Sequence, residues 1–275
     1  MTRSQLVHQI VGKKTYLCVG LDTDLTKLPK QFQQTPESVV RFNKAIIDAT
    51  KAHCVAYKIN TAFYEALGAK GWDAMEETAH YIPETHLKIA DAKRGDIGNT
   101  SAQYAKAFFE TLSFDALTVA PYMGADSIKP FLDYADKWTI VLGLTSNSGA
   151  QDFELQQTGN GFLYEMVLQK VAQWGSPANL MFVIGATQET AFADIRAMLP
   201  HNFFLVPGVG AQGGSLKAIS KHAMTPDCGL LVNASRAIIY ASEGDDFAEE
   251  AKAIAKEYQY EMQEYLNAYT HETGL

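Results

Sequence analysis

Short apolar and β-branched runs recur along the chain at Tyr16–Leu21, Cys54–Ile59, Leu87–Ala90, Ala116–Ala120, Thr139–Leu144, Leu180–Ile184, Phe203–Val206 and Leu230–Val232. Each is short and almost continuously apolar, the pattern of a strand buried on both faces. Between them the apolar positions change period. Val39, Val40, Phe42, Ala45, Ile46 and Ala49 fall at i, i+3 and i+4 spacings, the stripe of an amphipathic helix. Thr35 followed by Pro36 reads as its N-cap and first helical residue. The same periodicity predicts helices near Ala74–Tyr81, Ser101–Leu112, Ser127–Asp136, Gly161–Trp174, Glu189–Met198, Leu216–Lys221 and Asp246–Tyr265, and a leading helix within Met1–Lys14.

Eight such strands alternating with helices imply parallel pairing with both sheet faces covered, because parallel neighbours need a crossover connection. The 275 residues match one α/β (β/α)8 TIM barrel of about 250 residues. The expectation is therefore one catalytic domain over 1–275, with an open doubly wound sheet as the rival. No repeat, low-complexity tract or linker divides the sequence. Composition narrows the function: 23 Lys and Arg against 31 Asp and Glu give a net charge of −8, which argues against a nucleic-acid partner. No apolar run approaches the roughly 20 residues needed to span a bilayer, and the N-terminus lacks an apolar signal core. A cytoplasmic protein without a membrane partner is expected. Cys18, Cys54 and Cys228 lie far apart in apolar segments without CxxC spacing, as buried thiols in a reducing compartment do.

In a barrel, chemistry collects where strands end and loops begin, on the C-terminal face. The strand ends here are polar. They read Gly20-Leu21-Asp22, Lys58-Ile59-Asn60, Asp91-Ala92-Lys93-Arg94-Gly95-Asp96, Thr145-Ser146-Asn147, Pro207 to Gly214, and Asn233-Ala234-Ser235-Arg236. Asp91 and Lys93 are two apart and point to one side of a strand, with Asp96 in the loop beyond. Lys58 ends the neighbouring strand, so two ammonium groups and two carboxylates can share one site. Opposite charges would keep both lysines protonated against the pull of burial. An alternative reading of the Asp91–Asp96 run is a solvated turn with an ordinary ion pair worth about 0–1 kcal/mol. The glycine-rich Pro207–Gly214 loop follows the seventh strand and Arg236 follows the eighth, where barrels often build a phosphate site. No HExxH, EF-hand or P-loop motif is present and the seven histidines lack ligand spacing, so no metal is expected.

The run Asp91-Ala92-Lys93-Arg94-Gly95-Asp96-Ile97-Gly98-Asn99-Thr100 resembles the signature of the orotidine 5'-phosphate decarboxylase family, in its longer bacterial type. So do Gly20-Leu21-Asp22, the Lys58–Glu65 segment, Thr145-Ser146-Asn147, the Pro207–Gly214 loop and Asn233 to Ile238, in one order over nearly the whole chain. The resemblance implies decarboxylation of orotidine 5'-phosphate to UMP and CO2, the last step of UMP synthesis, with no cofactor and in a homodimer with shared active sites. It implies a catalytic tetrad of Lys58, Asp91, Lys93 and Asp96, with Asp96, Ile97 and Thr100 reaching into the partner's site. Asp22 would hold the ribose with Lys58, Ser146 the pyrimidine, Gln212 would link pyrimidine to phosphate, and Arg236 with the Gly213 amide would grip the phosphate. Thr23 and Ser148 stand where the family more often carries proline, which leaves the path of those two loops open. The residues themselves also admit a class I or metal-assisted aldolase on a similar barrel, and a catalytically silent sensor of a phosphorylated metabolite.

Overall fold

A computed structural model describes residues 1–159, 161–187, 189–209 and 213–273. All eight strands form: β1 Leu17–Gly20, β2 Ala56–Asn60, β3 Leu87–Arg94, β4 Ala116–Val119, β5 Trp138–Leu144, β6 Leu180–Ile184, β7 Phe203–Pro207 and β8 Leu230–Ala234. Each pairs in parallel with its neighbour in sequence, and β8 returns to β1 with Leu17 opposite Val232, which closes the barrel. The open-sheet alternative is thereby eliminated. A helix follows each strand and covers the outer face. Trp138, Tyr57, Phe182 and Phe204 are among the fully buried side chains.

Local signals set most helix ends. Thr35 caps Pro36–Thr50 by accepting a hydrogen bond from the Ser38 N–H. The leading helix Arg3–Lys13 begins on a capping box between Thr2 and Gln5 and buries Leu6 and Ile10. The last helix, Phe247–Thr273, stacks Phe247 on Phe42 with ring centroids 5.1 Å apart. No helix among the described residues is long and apolar enough to cross a membrane.

Several helices start or end away from their periodicity: those expected over Ala74–Tyr81 and Ser127–Asp136 run Ala69–Tyr81 and Ala125–Leu132. The helix expected from Gly161 starts at Leu163, because Gly161 has φ +119° and pairs with Thr158 in a short antiparallel hairpin. The helix expected over Ser101–Leu112 starts earlier, at Gly98, and passes into a π-helical turn over Ala107–Thr111. The three cysteines are free and buried. Burial pushes the Cys54 thiol up to about 11 and the Cys228 thiol up to about 12, so they are not nucleophiles at neutral pH.

Candidate active site

Register decides which polar side chains meet at the C-terminal face. Gly20 pairs with Lys58, and Lys58 with Ile89. Asp91, two residues past Ile89, therefore projects to the same face as Lys58. β3 then leaves regular pairing. Ala90 pairs with Leu117 and Arg94 with Val119, so β3 spends four steps where β4 spends two. This bulge re-aims the chain, and Lys93 within it takes φ +48°, a left-handed conformation rare for a residue with a side chain.

The result is a linear charge cluster. Lys58 Nζ donates to Asp91 Oδ2 at 2.9 Å and to Asp22 Oδ1 at 3.3 Å, while Lys93 Nζ donates to Asp91 Oδ1 at 2.6 Å. The Lys58 side chain is 5% exposed and that of Asp91 11%, whereas the Lys93 side chain is 51% exposed. The two lysines thus differ in office: one is sealed under the carboxylates and the other faces open space. Burial alone would raise the Asp91 pKa, but the charges of Lys58 and Lys93 and their hydrogen bonds outweigh it and hold the carboxyl well below the usual range. Burial would likewise strip Lys58 of its proton, and Asp22 and Asp91 reverse this, holding its pKa above the ordinary lysine value. Lys58 is therefore a fixed cation, unsuited to Schiff-base attack.

The Asp91 carboxyl is expected to titrate well below the ~3.9 of a free aspartate. NMR of 13C-aspartate-labelled protein, assigned with Asp91→Asn, checks this; a midpoint at or above ~3.9 would contradict the charge cluster. By linkage, the stability this depressed pKa contributes is full above the unfolded value and is lost as pH falls through the folded one.

Asp22, Lys58, Asp91, Lys93, Ser146 and Arg236 line one cavity of about 490 Å³, together with the base of the glycine-rich loop at Pro207, Gly208 and Val209. Ser146 follows β5. Its Oγ is buried without a hydrogen-bond partner, and it packs so closely on Gly185 that a Cβ there would lie 2.2 Å away. Next to it, the Thr145 N–H donates to Glu154 Oε2 at 2.7 Å and ties the loop down. Arg236, exposed at the start of a short helix, follows β8, the strand that pairs with β1. Gly213 has φ +89° and open space beside it, and Gln212 lies outside the described residues. Thr23 explains its own departure from proline: its buried hydroxyl donates to Asn43 Oδ1 at 2.6 Å, a bond proline cannot make. Ser148 is exposed and opens a 3-10 turn, Ser148–Asp152, that buries Ala150.

Asp96, Ile97 and Thr100 are not drawn into this cavity. Asp96 Oδ1 accepts from the Ile97 N–H, Ile97 is 55% exposed and Thr100 is exposed in the following helix. Two further residues, Asn233 and Thr118, join the site. Asn233, on β8, lines the cavity with a buried Oδ1 that has no partner; a polar residue inside the apolar run Leu230–Ala234 was a legible signal. Thr118, on β4, touches both Asp91 and Lys93, and a threonine in a strand carries no such signal. Among the described residues no group of three or more His, Cys, Asp or Glu side chains is placed to hold a metal ion.

The family profile described as orotidine 5'-phosphate decarboxylase / HUMPS matches residues 15–254. The chain is 53% identical over 272 residues to an orotidine 5'-phosphate decarboxylase of Bacteroides fragilis, covering 98% of this chain and 99% of that protein. It is 55% identical over 271 residues to the corresponding protein of Flavobacterium johnsoniae, with 98% and 99% covered. Among solved structures, an OMP decarboxylase of Leishmania donovani superposes with a TM-score of 0.80 at 36% identity, over 94% of this chain and 99% of that one.

Proposed function

The chain belongs to the orotidine 5'-phosphate decarboxylase family, and from that premise we propose that Lys58, Asp91 and Lys93, completed by Asp96 of a second copy, carry its chemistry without a cofactor. The enzyme is a carboxy-lyase that converts orotidine 5'-phosphate to UMP and CO2, the final step of pyrimidine nucleotide synthesis. One observation carries the assignment of roles: the Lys93 ammonium is bonded to a buried, ionised Asp91 yet opens onto the cavity.

When the bond from C6 to the carboxylate carbon breaks, CO2 departs and the electron pair stays on C6. No carbonyl is positioned to delocalise it, so a fixed positive charge beside C6 must stabilise it. Lys93 supplies that charge and then transfers an ammonium proton to C6, leaving a neutral amine that solvent reprotonates. Asp91 fixes Lys93 and places negative charge beside the departing carboxylate. Lys58 keeps Asp91 ionised and, with Asp22, faces the ribose. Ser146 Oγ, unpartnered within the chain, contacts the pyrimidine. Arg236 grips the phosphate with the Gly213 amide, and Gln212 links phosphate to pyrimidine.

The shared site is supported by the position of Asp96, Ile97 and Thr100 outside their own cavity. Ile97, Tyr122, Met123 and Phe153 are exposed apolar side chains. Tyr122 and Phe153 have ring centroids 6.1 Å apart, and Met123 Cε lies 3.8 Å from where a Cβ on Gly95 would be. Exposed apolar side chains of this kind suit contact with a two-fold related copy of the same chain. Residues 1–275 act as one cytoplasmic catalytic domain in this proposal.

Loss of orotidine 5'-phosphate absorbance, followed with EDTA present and nothing else added, tests the function. Turnover is expected; its absence, or its loss on chelation, would overturn the cofactor-free reading. Arg236→Ala separates recognition from chemistry. Removing a bidentate charged contact should lower kcat/KM for the nucleotide by about a hundredfold or more and leave slow turnover of phosphate-free orotidine unchanged. Equal losses on both substrates would remove Arg236 from phosphate recognition.

A further inference from the structure

The bulge in β3 creates a problem that regular pairing would not. Between the Ala90–Leu117 and Arg94–Val119 pairs, the Lys93 N–H has no strand carbonyl opposite it, and an unpaired amide at this depth is unfavourable. The residue facing the bulge is Thr118, between Leu117 and Val119, only 1% exposed. Its Oγ1 accepts the Lys93 N–H at 2.9 Å, and its hydroxyl donates to Asp91 Oδ1 at 3.0 Å. Lys93 Nζ reaches that same Oδ1 at 2.6 Å. A closed ring results: backbone of Lys93 to Thr118, Thr118 to Asp91, and Asp91 back to the ammonium of Lys93.

We propose that Thr118 is a positioning residue for decarboxylation, whose hydroxyl locks the left-handed backbone of Lys93 and the rotation of the Asp91 carboxylate into one geometry. Both carboxylate oxygens are engaged, with Lys93 and Thr118 on Oδ1 and Lys58 on Oδ2, so it cannot turn without losing a bond. Beyond the bulge a second anchor holds the chain. The Arg94 guanidinium pairs with Glu65 and lies 5.4 Å from the ring centroids of both Tyr104 and Phe108. Lys93 is thus fixed from the barrel interior by Thr118 and from the outside by its neighbour. Without the hydroxyl, Lys93 regains backbone freedom and its ammonium drifts from C6. Misplacement by about 1 Å is enough to cost about a hundredfold in rate.

The inference rests on Lys93 as proton donor, and three variants at 118 with Lys93→Ala in parallel separate the two ideas. Thr118→Ser keeps the hydroxyl, Thr118→Val keeps the shape, and Thr118→Ala keeps neither. Kinetics with orotidine 5'-phosphate should show Ser within about threefold of wild type, and Val and Ala reduced about tenfold to a hundredfold in kcat with KM nearly unchanged. Two hydroxyl-free variants keep the test decisive should one fail to fold, as judged by circular dichroism and thermal melting. A folded Val or Ala variant with wild-type kcat, or a Ser variant as impaired as Val, would overturn the role of Thr118. Normal turnover in Lys93→Ala would instead overturn the donor assignment itself.

Discussion

Lys93→Ala is expected to abolish nearly all turnover while leaving the affinity for orotidine 5'-phosphate close to that of wild type. The ammonium has two tasks at C6. A positioned proton donor is worth about 10²–10⁴ in rate, and a preorganised charge at the developing carbanion about 10²–10³ more. Removing both at once should lower kcat by on the order of 10⁴ or beyond. KM should move little, because the phosphate and ribose contacts belong to other residues; that split marks an interaction made in the transition state. The fold should survive, since the Lys93 side chain is half exposed and Asp91 keeps Lys58 and Thr118. Steady-state kinetics with a thermal melt on the same sample decides it. Turnover within about tenfold of wild type would remove Lys93 from the chemistry.

The second large effect is a recovery. If each site takes Lys93 from one chain and Asp96 from the other, Lys93→Ala and Asp96→Ala homodimers are both nearly inactive. Unfolded and refolded together in equal amounts, about half the dimers are mixed, and each mixed dimer has both defects in one site and none in the other. Activity should return to roughly a quarter of the wild-type level. No recovery in a sample whose mixed dimers are verified by mass spectrometry would mean that Asp96 serves its own chain. The exposed Ile97, Tyr122, Met123 and Phe153 should become protected from solvent in the same dimer.

The strands were legible because a strand covered on both faces has to be apolar along its length, and all eight runs declare themselves that way. The charged cluster was legible for a related reason: Lys58, Asp91 and Lys93 stand at the ends of adjacent apolar runs, where a barrel gathers its polar side chains on one face. The helix start at Gly161 was not, since helical periodicity says nothing of a glycine turned to φ +119°. The bulge in β3 was also hidden. Asp91 and Lys93 at alternate positions suggest a regular strand, whereas their shared geometry depends on Lys93 leaving it. Thr118 became visible only with the bulge, because its role is set by a backbone N–H across the sheet and not by any pattern in its own segment.

The most direct test of the account is a crystal structure of the protein with UMP bound. C6 of the pyrimidine is expected within hydrogen-bond reach of Lys93 Nζ, with Asp96 of the partner subunit beside it and Ser146 Oγ on the pyrimidine. The phosphate is expected to be held by Arg236 and the Gly213 N–H. A pyrimidine bound away from Lys93, or a site closed entirely by residues of one chain, would contradict it.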